Sequence, residues 1–396
     1  MSVWSSLVGQ DAAVAKLSEA AASARAIVAS RGSGRTSDEA RSMSHAWLIT
    51  GPPGSGRSVA ARAFAAALQC TGATPGCGQC PGCRTTMGRT NADVLFAATE
   101  TSIINVETAR SLVLQAQSSP SQGLWRVIVV EDADRLGESG ANALLKAIEE
   151  PPEHTVWLLC APSPEDMIAT IRSRCRHLGL RIPTATAVAD LLVREGVATP
   201  EVALEAARAA QSHIGLARAL ARDPQMRERR RSIITAPASV RSVGEAVMAA
   251  DRLLETAKAQ ADAQVSDRNA REKADLLRQL GMEEGESATK ASRTMLRQLE
   301  EDQKRRSKRA LTDAIDRALI DLLAIYRDIL MVQVGGDGEL INTDLSELVH
   351  QIAHDSTPHQ TLARVDHIET ARKRLVANGN PLLVLEDMAI SLRPQA

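Results

Sequence analysis

The chain has 396 residues, a formal net charge of −1, 44% hydrophobic residues and only 2% aromatic ones. Such a length fits two or three domains, and the many alanines favour helix-rich packed cores. The near-neutral charge excludes a globally basic nucleic-acid binder, leaving only local patches for such contacts.

No basic start is followed by an apolar leader, and no run approaches the ~20 apolar residues of a membrane span. A cytoplasmic protein is therefore expected. In that compartment the six cysteines are expected as metal ligands or buried thiols rather than disulfides.

In chain order, residues 1–183 alternate short apolar or β-branched runs with helical patterns. Strands are predicted at 47–50, 94–97, 125–130, 155–160 and 177–182, which reads as a mainly parallel sheet covered by helices. The run Leu124-Trp-Arg-Val-Ile-Val-Val130 has the continuous apolar character of a central buried strand. Residues 29–43, rich in Gly, Ser, Arg and Asp, read as a surface loop inserted before the first core strand. Beyond Pro183 the strands stop. Helices are predicted at 184–197, 199–211 and 213–222, the middle one opened by Thr199 as N-cap and Pro200 at its first position. Longer helical patterns follow from about Asp223, and Leu311, Ile315, Leu319, Leu322 and Ile329 share one stripe of an amphipathic helix. The charged stretch 255–309, broken at 281–285, fits a solvated helical hairpin, a coiled segment or partial disorder.

Chemistry concentrates at Gly51-Pro-Pro-Gly-Ser-Gly-Arg57-Ser58. This nearly matches the phosphate-binding loop G-x-x-x-x-G-K-[ST], with a strand before it and a helix after it. Gly51, Gly54 and Gly56 let backbone N–H groups converge on phosphate, and the helix N-terminus adds partial positive charge. Arg57 replaces the lysine, and Ser58 keeps the hydroxyl position. A planar, forked guanidinium is not equivalent to a compact ammonium at such a site. After the central strand comes Glu131-Asp132, where P-loop ATPases place Asp then Glu. Reversing the order shifts each carboxylate, and misplacement of about 1 Å can lower a rate on the order of 10²-fold. Acidic surface residues at a strand end are the plainer alternative.

Cys70, Cys77, Cys80 and Cys83 form C-x6-C-x2-C-x2-C, with Gly78, Pro81 and Gly82 permitting tight knuckles. Four thiolates at this spacing can close a structural Zn²⁺ site with no open position. Such a site contributes ~10–16 kcal/mol of apparent binding free energy in zinc peptides. A redox C-x-x-C is the alternative, normally without two further cysteines in register. Cys160 and Cys175 are expected as buried thiols.

Two further stretches carry a family resemblance: Asn142-Ala-Leu-Leu-Lys-Ala-Ile-Glu-Glu-Pro-Pro152, whose helix should stop at Glu150 before proline, and Ser173-Arg174-Cys175. Together they resemble the bacterial replicative clamp loader, the AAA+ assembly of DNA polymerase III holoenzyme that opens and loads the ring-shaped sliding clamp. The resemblance runs from Leu7-Val-Gly-Gln10 to about Arg222; beyond that it consists only in being helical. It implies an α/β plus all-α fold. The parts are an AAA+ P-loop domain over 1–183 with a parallel five-stranded sheet and a zinc module at 70–83, a three-helix lid over 184–222, and a helical collar for oligomerisation over 223–396.

The resemblance also implies residue roles. Arg174 would be an arginine finger reaching the ATP of a neighbouring subunit; a structural arginine paired with a carboxylate is the alternative. Arg218, in Gly215-Leu-Ala-Arg218, maps to the last arginine of the family's nucleotide site, though a solvated helix residue fits equally. Arg57, the Glu131-Asp132 order, and Ala161-Pro162 where a polar phosphate-sensing residue is expected, together resemble the delta-prime stator subunits. Implied partners are the gamma/tau motor and delta subunits, the sliding clamp, and primed DNA through the assembly, in a cytoplasmic, nucleoid-associated replisome. Structural Zn²⁺ is implied, with ATP or ADP held weakly or without hydrolysis. No polymerase chemistry is expected of the chain itself, since no carboxylate pair is arranged for nucleotidyl transfer. The rival readings are an active AAA+ motor ATPase and a stand-alone zinc- and DNA-binding module with a vestigial P-loop. Basic clusters at 227–231 and 304–309 fit either phosphate contacts or solvated helix faces.

Overall fold

Five short apolar runs become five parallel strands: β1 (Ala46–Thr50), β2 (Val94–Ala97), β3 (Arg126–Val130), β4 (Thr155–Ala161) and β5 (Arg176–Gly179). A computed structural model of the chain describes residues 2–30, 42–97, 104–280 and 290–393. The loop expected at 29–43 lies mostly outside these residues, as does the break expected at 281–285. The strands form one sheet in the order β2-β3-β4-β1-β5, with every pairing parallel. Each predicted strand is present. Every residue of β1 and β4 is buried, which explains their continuous apolar runs, since helices cover both faces.

On one face lies α2 (Arg57–Leu68), whose alanines allow close approach to the sheet. Its Phe64 meets Trp47 of β1 edge-on, ring centroids 5.3 Å apart. Beside it run α1 (Asp11–Ala29) and the short α3 (Pro81–Met87). The other face is covered by α4 (Val106–Ala116) and α5 (Glu138–Glu149), with the single-turn α6 (Ala169–Arg172) following β4. Helix α5 ends as expected: Glu150, before Pro151, leaves the helical region at φ −125°, ψ 65°. Because β1 lies between β4 and β5, the connections diverge on either side of it. A ligand crevice therefore belongs at the carboxyl ends of these strands.

Three helices follow, α7 (Ala185–Arg194), α8 (Pro200–Ala209) and α9 (Ile214–Arg222). Thr199 occupies the N-cap position of α8 and Pro200 its first turn, but the Thr199 side chain makes no capping hydrogen bond. The chain separates into two compact units, Met1–Arg218 and Ala219–Ala396.

The second unit is helical throughout: α10 (Pro224–Ser239), α11 (Val243–Gln279), α12 (Lys290–Gln333), α13 (Ser346–Asp355), α14 (Pro358–Val376) and α15 (Pro381–Ser391). Ile315, Leu319, Leu322 and Ile329 of α12 are all within its core, with Leu311 packed against it. The described part of 255–309 is helical. There α11 and α12 meet through Ala261, Val265 and Ala310, and further out Arg306 binds Asn269 and Glu272, at 2.7 and 2.8 Å. Charged side chains on the remaining faces are solvated.

The basic cluster at 227–231 is not a solvated face throughout. Arg230 is buried, donating to Asp321 at 3.1 Å and to Asn342 at 2.6 Å. Arg227 caps the carbonyls of Leu220 and Ala221, and Arg229 pairs with Asp223. Sequence reading missed this because the partners of Arg230 lie about 90 and 110 positions away. In the cluster at 304–309, Arg305, Arg306 and Arg309 each have an acidic partner.

One buried acid fixes the entry to β3. Asp93, fully buried before β2, accepts hydrogen bonds from the N–H groups of Ser121, Gln122 and Gly123 and from the Ser121 hydroxyl. Burial raises its pKa, but these donors outweigh burial and hold the carboxyl below its ordinary value. A depressed folded pKa stabilises the fold above the unfolded pKa of about 3.9, and that contribution is lost as pH falls through the folded value. Asp93→Asn should lower unfolding free energy by about 1–3 kcal/mol at neutral pH. Urea titrations at pH 7 and pH 3 should show the gap between the two proteins narrowing in acid.

Candidate nucleotide and metal sites

The loop after β1 is shaped by two glycines with left-handed backbones, Gly54 at φ +88° and Gly56 at φ +90°. A side chain at Gly54 would also strike the backbone of His213, 2.9 Å from its Cβ position. Gly51 donates its N–H to the Pro162 carbonyl at 3.1 Å, which ties the loop to the end of β4. Gln10, buried at 5% exposure, braces the loop from outside. Its amide donates to the carbonyls of Arg181 at 2.5 Å and Ser55 at 3.3 Å, and its oxygen accepts from Arg181 N–H. Arg57 begins α2 and folds its guanidinium back onto the Gly51 carbonyl, while Ser58 is half-buried in the first turn.

Glu131 and Asp132 stand at the end of β3. Glu131 forms an ion pair with Arg89, whose guanidinium lies 5.0 Å from the Phe96 ring centroid. Arg62 of α2 stands close enough to feel both charges, after the larger effect of its own burial. Asp132 occupies the N-cap position of a single 3₁₀ turn, Ala133–Arg135, without a side-chain capping hydrogen bond. Burial, reinforced by Asp132, raises the carboxyl of Asp134 above its ordinary value against the pull of Arg135 and Arg57. A P-loop site normally holds Mg²⁺ through a carboxylate at this strand end. Here Glu131 is engaged by a guanidinium, so the donor set does not fit that ion.

The remaining candidates lie apart. Arg174, after α6, donates to Glu149, to the Thr170 carbonyl at 2.8 Å and to the Ser173 hydroxyl at 3.3 Å; its side chain is 39% exposed. Arg218 makes a two-pronged pair with Glu195 at the end of α7, both contacts at 2.9 Å. Cys160 is fully buried in β4 and Cys175 partly buried. Burial pushes both thiols up to about 12, so neither is a nucleophile at neutral pH.

Cys70, Cys77, Cys80 and Cys83 come together between α2 and α3, their sulfurs all within 4.8 Å of one another. The Cys70 and Cys80 sulfurs are 3.8 Å apart, matching the edge of about 3.8 Å of a tetrahedron with 2.3 Å Zn–S bonds. Backbone N–H groups of Gln79 and Cys80 point at the Cys77 sulfur, and that of Cys83 at the Cys80 sulfur. Such donors stabilise thiolates and orient them as ligands. Burial opposes ionisation of Cys80, yet the N–H groups of Cys83 and Thr71 bring it down to about 5. The four residues therefore fit a closed structural Zn²⁺ site.

The knuckle is anchored from elements that sequence reading did not single out. Arg25 of α1 donates to the carbonyls of Cys70, Gly72 and Ala73 at 2.8–2.9 Å, and Val3 N–H to that of Gly76 at 3.0 Å. Arg62, Arg89 and Arg25 gave no signal in sequence, because each acts through a partner distant along the chain. One zinc per chain is expected in native protein by elemental analysis. Cys80→Ser should lose the metal and several kcal/mol of stability, read as a lower Tm; a metal-free native chain would refute the assignment.

With this geometry in hand, the comparisons with known proteins are specific. A family described as DNA polymerase III, delta subunit, matches residues 35–184. The gamma/tau subunit of DNA polymerase III from Mycobacterium tuberculosis is 35% identical over 162 residues, 39% of this chain and 28% of that protein. The delta' subunit from Pseudomonas aeruginosa is 34% identical over 165 residues, 41% of this chain and 50% of that protein. The chain thus matches half or less of these relatives' length. A DNA polymerase III gamma subunit-related protein of Thermotoga maritima superposes with TM-score 0.45 at 17% identity, over 88% of this chain and 93% of that one. Over its P-loop region, the chain is thus similar to clamp-loader AAA+ subunits, the delta' and gamma/tau subunits of DNA polymerase III among them.

Proposed function

We propose that this chain is the delta-prime stator of a DNA polymerase III clamp loader, lending Arg174 to the ATP site of a neighbouring gamma/tau subunit. On this reading its partners are gamma/tau and delta subunits, with the sliding clamp and primed DNA engaged through the assembly in the cytoplasmic replisome. Residues 184–222 serve as lid and 223–396 as collar. The home site does not hydrolyse ATP.

One observation carries the reading: Arg89 neutralises Glu131 at the strand end where a motor needs an unengaged carboxylate. Arg57 at the lysine position and apolar Ala161-Pro162 point the same way. Arg174 suits a role in trans because its side chain is 39% exposed and, among the described residues, is held by a surface pair and two local hydrogen bonds. Exposed pairs of this kind contribute about 0–1 kcal/mol, so exchanging Glu149 for a triphosphate is energetically easy. A DNA-binding module is disfavoured, since most arginines of both basic clusters already have protein partners.

The test is reconstitution with gamma/tau and delta. Arg174→Ala should leave the fold intact and lower the ATPase of the complex by about tenfold or more, as for arginine fingers elsewhere. An unchanged rate removes the finger. Rapid hydrolysis by the isolated chain, abolished by Asp132→Asn, would assign the motor role instead.

A further inference from the structure

We propose that the Gly51–Ser58 loop takes the polyphosphate of a nucleoside di- or triphosphate free of any divalent cation, with arginine side chains standing in for the metal. The inference starts from the misfit between this site and Mg²⁺. A cation bridging the phosphates would need a carboxylate from the end of β3. Glu131 is held by Arg89, and although the Arg89 side chain is 44% exposed, that of Glu131 is only 13% exposed, so the carboxylate itself is partly shielded from water and from competing ions.

Positive charge is plentiful around it. Arg57 sits at the N-terminus of α2, folded onto the loop's own Gly51 carbonyl. Arg62, one turn further along the same helix, has a buried Nε with no hydrogen-bond partner among the described residues. Arg135 and Arg57 lie near enough to Asp134 to lower its carboxyl pKa against burial. One guanidinium thus pairs with Glu131 and three more stand in the neighbourhood of the strand end. A conventional P-loop site, with one lysine among acidic residues, must import a divalent cation to accept a polyanion; this one is already compensated. Guanidinium forks match phosphate oxygens geometrically and remain charged at any physiological pH.

The loop itself remains built for phosphate. Gly54 and Gly56 keep left-handed backbones, and the helix it opens spans 12 residues. Inside the loop the Ser55 hydroxyl, on a residue only 2% exposed, has no hydrogen-bond partner among the described residues. It is turned toward Gly51, 2.5 Å from where a Cβ on that residue would sit. A buried hydroxyl left without a partner is costly, and a phosphate oxygen in the loop would satisfy it.

The proposal rests on reading the loop as a nucleotide site, not on Arg174, so the two can fail separately. The test is calorimetric titration of the purified full chain with ADP, once in excess Mg²⁺ and once in excess EDTA. The two dissociation constants should agree within about threefold, and inorganic tripolyphosphate should compete equally in both buffers. Binding that requires Mg²⁺, or tightens about tenfold or more with it, overturns the proposal. So does absence of binding in both buffers. Arg89→Ala, checked for folding by circular dichroism and zinc content, should free Glu131 and make ADP binding tighten about tenfold on adding Mg²⁺. A variant still indifferent to Mg²⁺ would overturn the role given to Arg89. Should the variant not fold, the comparison on the unaltered chain decides alone.

Discussion

Two wholly buried strands, β1 and β4, lie side by side at the centre of the N-terminal unit, and charged side chains are displaced from their length. Parallel strands buried on both faces cannot carry charge along their length. Backbone dipoles, glycine turns and ionisable side chains therefore collect where the strands stop. The loop after β1, the acidic pair after β3 and Pro162 after β4 are neighbours for this reason. The contact from Gly51 N–H to the Pro162 carbonyl fuses two of these ends into one rim.

On that rim, the same constellation of elements can serve opposite purposes. A loop that cradles phosphate needs compensating charge, which can come from a metal recruited by carboxylates or from arginines already in place. The Arg89–Glu131 pair would favour the second solution under the proposal above: it cancels the charge of the carboxylate that would recruit the ion and leaves Arg57 and Arg62 to face the phosphates. On the function proposed above, a site arranged this way would keep its scaffold without the means to polarise an attacking water, as a subunit that completes a neighbour's site would require.

What could be read from the sequence was whatever depends on near neighbours. The five strands, the stop of α5 before Pro151 and the convergence of Cys70, Cys77, Cys80 and Cys83 all follow from spacings of a few residues. The stripe on α12 was legible through its period. Side-chain partners drawn from remote segments were not. Glu131 finds Arg89 across 42 positions, Gln10 finds Arg181 across 171, and Arg230 finds Asn342 across 112. Nothing in the composition near Arg230 distinguishes it from Arg229 or Arg231, which stay exposed. Whether an arginine is solvated or buried is decided by the packing of helices, not by its immediate neighbours.

Helix α2 is held at both of its ends. Its first residue, Arg57, grips the loop, and two residues beyond its last, Cys70 enters the sulfur cluster that Arg25 clamps through three carbonyls. A rod fixed at each end can neither slide nor swivel. If the loop takes phosphate as proposed, the cluster would act as an end-stop that removes conformational freedom from it across a 12-residue helix, so that binding there would meet a shape already set, with little ordering left to do.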